Sequence, residues 1–191
     1  TWFQYVSHFI DGPDNSIYVA FDHVILEFDL DSGEWEIFFD LMRPELNLTE
    51  DAIIRYIKRH GEVLFIATSE GLYTYHFPSK AIKNIKHVPD TENNRDKLNA
   101  KLIVTDTDGN FWLGTVEGLF RFSTDELVAF ASKNIEILPQ SVEVIPSLNI
   151  WNMLSYNNTE YYLATDKGLY IFDGATRQIK HLLKPSDSNL L

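Results

Sequence analysis

Cysteine is absent from this sequence, which excludes disulfide frameworks, thiol nucleophiles and thiolate zinc sites together, and fits either a cytosol or a bacterial periplasm. Basic residues are scarce: 16 Lys and Arg stand against 28 Asp and Glu, a formal charge of -12. Such a surface repels phosphate backbones and anionic headgroups, which argues against nucleic acid as a partner. No apolar run approaches the roughly 18 residues of a membrane helix, so any membrane association is expected through parts outside this segment. No basic-then-apolar leader stands at Thr1, and the sequence opens at once on Thr1-Trp2-Phe3. That opening reads as a cut beside structured material, so a segment of something longer is expected.

What is present is apolar material and a period. Of 191 residues, 45% are hydrophobic and 14% aromatic, enough for a core and too much for a disordered chain. The tripeptides Gly71-Leu72-Tyr73, Gly118-Leu119-Phe120 and Gly168-Leu169-Tyr170 fall 47 and 50 residues apart. Another step back of 47 reaches Val24-Ile25-Leu26, a first copy without the glycine. Self-similarity at such a period marks a repeat architecture.

Each copy predicts four short strands with tight turns. The third reads Lys101 to Val104, the turn Asp106-Thr107-Asp108-Gly109-Asn110, Phe111 to Thr115, Gly118 to Phe122, then Leu127-Val128-Ala129-Phe130 as fourth strand. The other fourth strands are expected at Trp35 to Phe38, Ile82 to Ile85 and Gln178 to Leu182. Asp-Gly accepts the positive φ of a two-residue hairpin turn, and the glycine before Leu-aromatic gives the same freedom on re-entry to the sheet. The first two strands of a copy are apolar at nearly every position, as strands covered on both faces require, whereas the fourth alternates toward solvent. Stacked blades of an all-β β-propeller meet that demand, and an open sandwich does not. Expected blades run approximately over 5–38, 52–85, 99–132 and 149–183. Two segments have a helical alternative. Thr49 to His60 carries an amphipathic stripe, although the repeat favours a strand; Ser123 and Glu126 suggest a capping box and one helical turn before the outer strand.

The run Asp108-Gly109-Asn110-Phe111-Trp112-Leu113-Gly114-Thr115-Val116-Glu117-Gly118-Leu119-Phe120-Arg121-Phe122 closely resembles the two-component regulator propeller repeat. The fourth copy keeps Ala164-Thr165 and Gly168-Leu169-Tyr170-Ile171-Phe172-Asp173, the second keeps Ala67-Thr68 and Gly71-Leu72-Tyr73, and the first keeps little beyond hydrophobicity. The resemblance implies the extracytoplasmic, periplasmic sensor of a membrane-bound hybrid histidine kinase, often one that detects carbohydrate fragments. It implies a propeller of the seven-bladed kind, larger than four blades, with catalysis elsewhere in the parent and no cofactor. Four blades alone either close tightly on themselves or leave open apolar faces at both ends, through which self-association is expected.

Binding groups are expected where the connections between second and third strands, and between blades, share a face. The long connections offer Arg43, Asn47, Asn93, Asn94, Arg95 and Asp96, each of which also reads as a solvated loop residue. The short ones offer Asp22, Glu70, Glu117 and Asp166, acids that either hold a cation or sugar hydroxyls or simply close turns. At the channel end of the first strands the column His8, Arg55, Leu102, Asn152 is polar in three of four copies, as a wet channel or a ligand site would be. Trp151, beside it, is the tryptophan placed to stack on a sugar ring. Asp106, Asp108 and Asn110 mimic a calcium loop, but the glycine sits at position four rather than six and a strand follows, so a hairpin turn is expected. No metal spacing is present among the histidines, and no nucleophile motif occurs. An interaction scaffold and, less favoured, a metal-dependent propeller lyase using His8 are the competing functions.

Overall fold

The structure, a computed structural model, describes residues 5–85, 98–133, 141–157, 159–176 and 178–183. Its strands form four antiparallel four-stranded sheets, each in plain sequential order. The first holds β1 (Val6–Asp11), β2 (Ser16–Phe21), β3 (Val24–Asp29) and β4 (Trp35–Asp40); the second holds β5 (Ile54–His60), β6 (Val63–Thr68), β7 (Gly71–His76) and β8 (Ala81–Ile85). The third holds β9 (Ala100–Thr105), β10 (Asn110–Thr115), β11 (Gly118–Ser123) and β12 (Ser141–Pro146); the fourth holds β13 (Ile150–Ser155), β14 (Glu160–Thr165), β15 (Gly168–Asp173) and β16 (Gln178–Leu183). These are β-propeller blades, and the strand reading of Ile53 to Ile57 is the one the chain adopts. The chain divides into two compact units, the first built on the first two sheets and the second on the last two.

A turn staple recurs and explains the Thr-x-x-Gly signature. Thr68 Oγ1 donates to Gly71 O at 2.9 Å, Thr115 Oγ1 to Gly118 O at 3.0 Å, and Thr165 Oγ1 to Gly168 O at 2.9 Å. Each hydroxyl also accepts from the turn backbone, from the N–H of Glu70, Glu117 and Lys167 respectively. Glycine is required at the far end: Gly71 and Gly168 take φ of 139° and 114°, and a Cβ on Gly118 would stand 2.1 Å from the Ile145 carbonyl oxygen. The first copy has Phe21 and Val24 at these places and closes its turn without the staple.

In the first unit Tyr18, Ala20, Ile25, Phe39, Leu41, Ile54, Ile57, Leu64, Ile66 and Tyr73 form one buried cluster joining the two sheets. Each large apolar side chain there contributes about 1.5–3 kcal/mol of burial, set against the entropy of ordering the chain. In the second unit the missing side chain of Gly114 lets Ile150 of β13 approach β10: a Cβ there would lie 2.8 Å from Leu102 Cγ and 3.1 Å from Ile150 Cγ2.

Two expectations need correction. Leu127 to Phe130 is not the fourth strand of the third sheet; it lies in helix α1 (Thr124–Ser132), and the strand follows as β12, beyond the expected limit at 132. Leu127, Phe130 and Ala131 are buried, so the apolar run is one face of a helix. The Ser123 hydroxyl accepts from Glu126 N at 3.4 Å, and Asp125 and Glu126 stand in the first turn, where carboxylates favour a helix start. A four-residue apolar run fits either period, and the cap decides. Nor are all first strands covered on both faces: Phe9 of β1 is 67% exposed and Leu154 of β13 is 64% exposed. Each belongs to a sheet with a second sheet of its unit on one face only.

Candidate functional site

The first strand of each sheet carries polar side chains at positions that a core edge should lack. β-Bulges interrupt pairing between Val6 and His8, between Ile54 and Tyr56, and between Ile150 and Asn152. The extra residues are Ser7, Arg55 and Trp151. In the third sheet Asp106 N donates to Asn110 O, and counting back from that turn puts Lys101 at the same position. The column His8, Arg55, Leu102, Asn152 therefore mixes two positions. The bulge position holds Ser7, Arg55, Lys101 and Trp151; the next, paired position holds His8, Tyr56, Leu102 and Asn152. The shift by one arises because the hairpin of the second sheet closes on two residues, Gly61 and Glu62 between the paired His60 and Val63. A bulge bends its strand and re-aims the extra side chain, which is why such residues recur at sites.

In the first unit the His8 ring stacks on Tyr56 with centroids 3.9 Å apart and planes 22° from parallel. Burial, and then the charge of Lys58, hold the His8 pKa below its ordinary value; burial raises that of Tyr56. Arg55 is half-buried, burial lowers its pKa, and its Nε is enclosed without an acceptor. Arg43 lies with its guanidinium 5.4 Å from the centre of the Phe39 ring, at the start of a short 3-10 turn, Pro44–Leu46. Glu70 is buried, and its carboxylate accepts from the backbone N–H of Thr49 at 3.2 Å and from the Thr49 hydroxyl, which pins the connection into β5.

In the second unit Lys101 is buried with its Nζ 3.1 Å from the centre of the Trp151 ring. Trp151 remains 56% exposed, so the indole is held by a cation and still offers surface. Asn152 is exposed, and its Oδ1 accepts from Met153 N at 2.8 Å. Asp166 is exposed, and its carboxylate accepts from Asn149 N at 3.1 Å; Glu117 is half-buried, with its carbonyl accepting from Ser147 N at 2.6 Å. The Asp166 carboxylate and the Glu117 backbone brace the ends of their own sheets. Arg95, with Asn93, Asn94 and Asp96, lies outside the described residues. Among the described residues no three His, Cys, Asp or Glu side chains gather as metal ligands.

The Asp106 turn is a structural hub rather than an ion site. Its carboxylate accepts from Asp108 N at 3.0 Å, Asn110 N at 2.9 Å, Asn110 Nδ2 at 2.8 Å, Trp112 Nε1 at 2.7 Å and Tyr161 OH at 2.8 Å. Burial works to raise the Asp106 pKa, but these donors outweigh it and hold the carboxyl below its usual range. Tyr161, of β14, is thereby tied to the third sheet.

No family model matches the chain, and no curated protein matches it either. Solved structures do match. The chain resembles the extracellular domain of a protein described as the hybrid two-component system BT4673 of B. thetaiotaomicron, at 20% identity and a TM-score of 0.68, over 90% of this chain and 21% of that one. It resembles the extracellular domain of BT3049, described likewise and from the same organism, at 14% identity and a TM-score of 0.67, over 94% of this chain and 24% of that one. PorZ, a surface component of the type-IX secretion system of Porphyromonas gingivalis, is similar at 14% identity and a TM-score of 0.70, over 97% of this chain and 28% of PorZ. The fold is shared. The chain spans about a quarter or less of the two-component chains it matches.

Sequence reasoning missed Lys101 and Tyr56, the partners of Trp151 and His8. Both sit one residue from a residue the repeat alignment had picked out, so allowing a bulge in the first strand would have found them.

Proposed function

We propose that this chain is a ligand-binding part of the extracytoplasmic sensor of a two-component receptor, acting by binding rather than catalysis, and that its ligand is an oligosaccharide. Two of the proteins it resembles in fold are extracellular domains of systems so described, and no described helix is long and apolar enough to cross a membrane. The observation that carries the sugar reading is Trp151: an indole 56% exposed, on a sheet edge, with one ring contact already taken by Lys101 Nζ. A fixed aromatic surface gives a large apolar contact with little entropy left to lose, which suits the C–H face of a sugar ring. Asn152 beside it supplies an exposed amide for hydroxyl groups.

Isothermal titration of neutral and acidic oligosaccharides into the protein tests this. A binding sugar should lose at least about tenfold in affinity, roughly 1.4 kcal/mol, in Trp151→Ala. The reading falls if a wide sugar panel gives no heat, or if Trp151→Ala binds as the parent does.

A further inference from the structure

We infer that the first-strand edge of the first unit is an oxyanion subsite in which Arg55 receives the carboxylate or sulfate of an acidic sugar. The inference rests on the oligosaccharide reading above and narrows it to one ligand class. Arg55 is the extra residue of the bulge between Ile54 and Tyr56, so its side chain is turned out of the ladder by the backbone itself. Its Nε is enclosed with no acceptor, and Arg55 has neither a hydrogen bond nor an ion pair among the described residues.

That isolation is costly. A half-buried guanidinium whose enclosed Nε has lost water without regaining a bond is destabilised until an acceptor is supplied. Acids outnumber bases here by 28 to 16, yet among the described residues no carboxylate pairs with Arg55. The surroundings favour an anion from outside the chain. Lys58 lies on the same strand, two residues beyond Tyr56, close enough for its charge to act on His8. Tyr56, which follows Arg55 in β5, stacks on His8 of β1, so the strand is held on its neighbour beside the bulge. Guanidinium is the cation shaped for this task, with its planar donors matching two oxygens at once.

The test titrates the protein with a uronate-containing disaccharide, a sulfated disaccharide, the matched neutral disaccharide and sodium sulfate. At least one acidic sugar is expected to bind about tenfold or more tightly than the neutral one, the preferred acid identifying carboxylate or sulfate as the group held. Arg55→Gln should remove that preference, bringing the acidic sugar's affinity down to that of the neutral one; Arg55→Lys, which keeps charge and loses the planar fork, should fall between. Thermal unfolding of both variants checks that they fold, and should Arg55→Gln fail, Arg55→Lys carries the comparison alone. Equal affinity for acidic and neutral sugars overturns the subsite and leaves the sugar reading standing. If no sugar binds but sulfate raises the melting temperature in the parent and not in the variants, the subsite stands and the sugar reading falls. If neither sugar nor sulfate acts, both fall.

Discussion

Truncating Asp106 should cost the second unit more than any surface substitution. One carboxylate there serves five donors, including Trp112 Nε1 at 2.7 Å and Tyr161 OH at 2.8 Å. Trp112 and Tyr161 are 3% and 1% exposed, so water cannot replace what they lose. A bond to an ionised acceptor contributes about 1.5–3 kcal/mol, and leaving a buried donor unmet costs a similar amount. The contributions do not add fully, because the turn relaxes once its anchor is gone. For Asp106→Ala we expect a loss of about 3–4 kcal/mol, and for Tyr161→Phe about 1–2 kcal/mol, which removes one donor and keeps the ring. Urea unfolding followed by tryptophan fluorescence measures both, and the double variant gives a coupling of about 1 kcal/mol or more between the third and fourth sheets. The pH dependence follows with a definite sign. Although burial opposes it, the donors hold the folded-state pKa of Asp106 below its ordinary value, so this stabilisation is present above about pH 4 and is lost as pH falls through the folded value. Asp106→Asn should flatten that acid limb. A loss under about 1 kcal/mol for Asp106→Ala, or an unchanged acid limb in Asp106→Asn, would refute the hub.

Gly118→Ala should destabilise by about 2–3 kcal/mol, because its Cβ would meet the Ile145 carbonyl oxygen at 2.1 Å and a backbone atom cannot swing aside; a melting temperature equal to the parent's would contradict the packing. The first sheet presents a cross-strand row of Phe9, Val19, Leu26 and Ile37, with Phe9 and Ile37 67% and 63% exposed, and we expect this face to drive self-association. Light scattering should then show mass rising with concentration, and Phe9→Lys with Ile37→Lys should return it to the monomer. A parent that stays monomeric at high concentration counts against this.

The repeat period, the four-strand order, the hairpin turns and the all-β blade class were legible in the sequence because each depends on local chemistry: Asp-Gly turns, a Thr-x-x-Gly staple, runs of apolar residues too dense for one covered face. The same density misled at Leu127 to Phe130, where a cap and one helical face look like a short buried strand until a third dimension separates them. The candidate site was half legible. His8, Arg55, Trp151 and Asn152 could be picked out as polar or aromatic groups at an edge meant to be apolar. Their partners could not, because a bulge shifts register by one residue and only cross-strand pairing reveals it; Lys101 against Trp151 and His8 against Tyr56 join residues about 50 positions apart in sequence. Tertiary structure also decided the fate of the acids. Read along the chain, Glu70, Glu117 and Asp166 are equally able to bind a ligand or close a turn. In space Glu70 is buried on Thr49 and Asp166 holds Asn149, whereas Arg55 is half-buried with its Nε enclosed and without an acceptor among the described residues. Composition and period determine which elements form; which side chains are left unsatisfied is a property of how they pack.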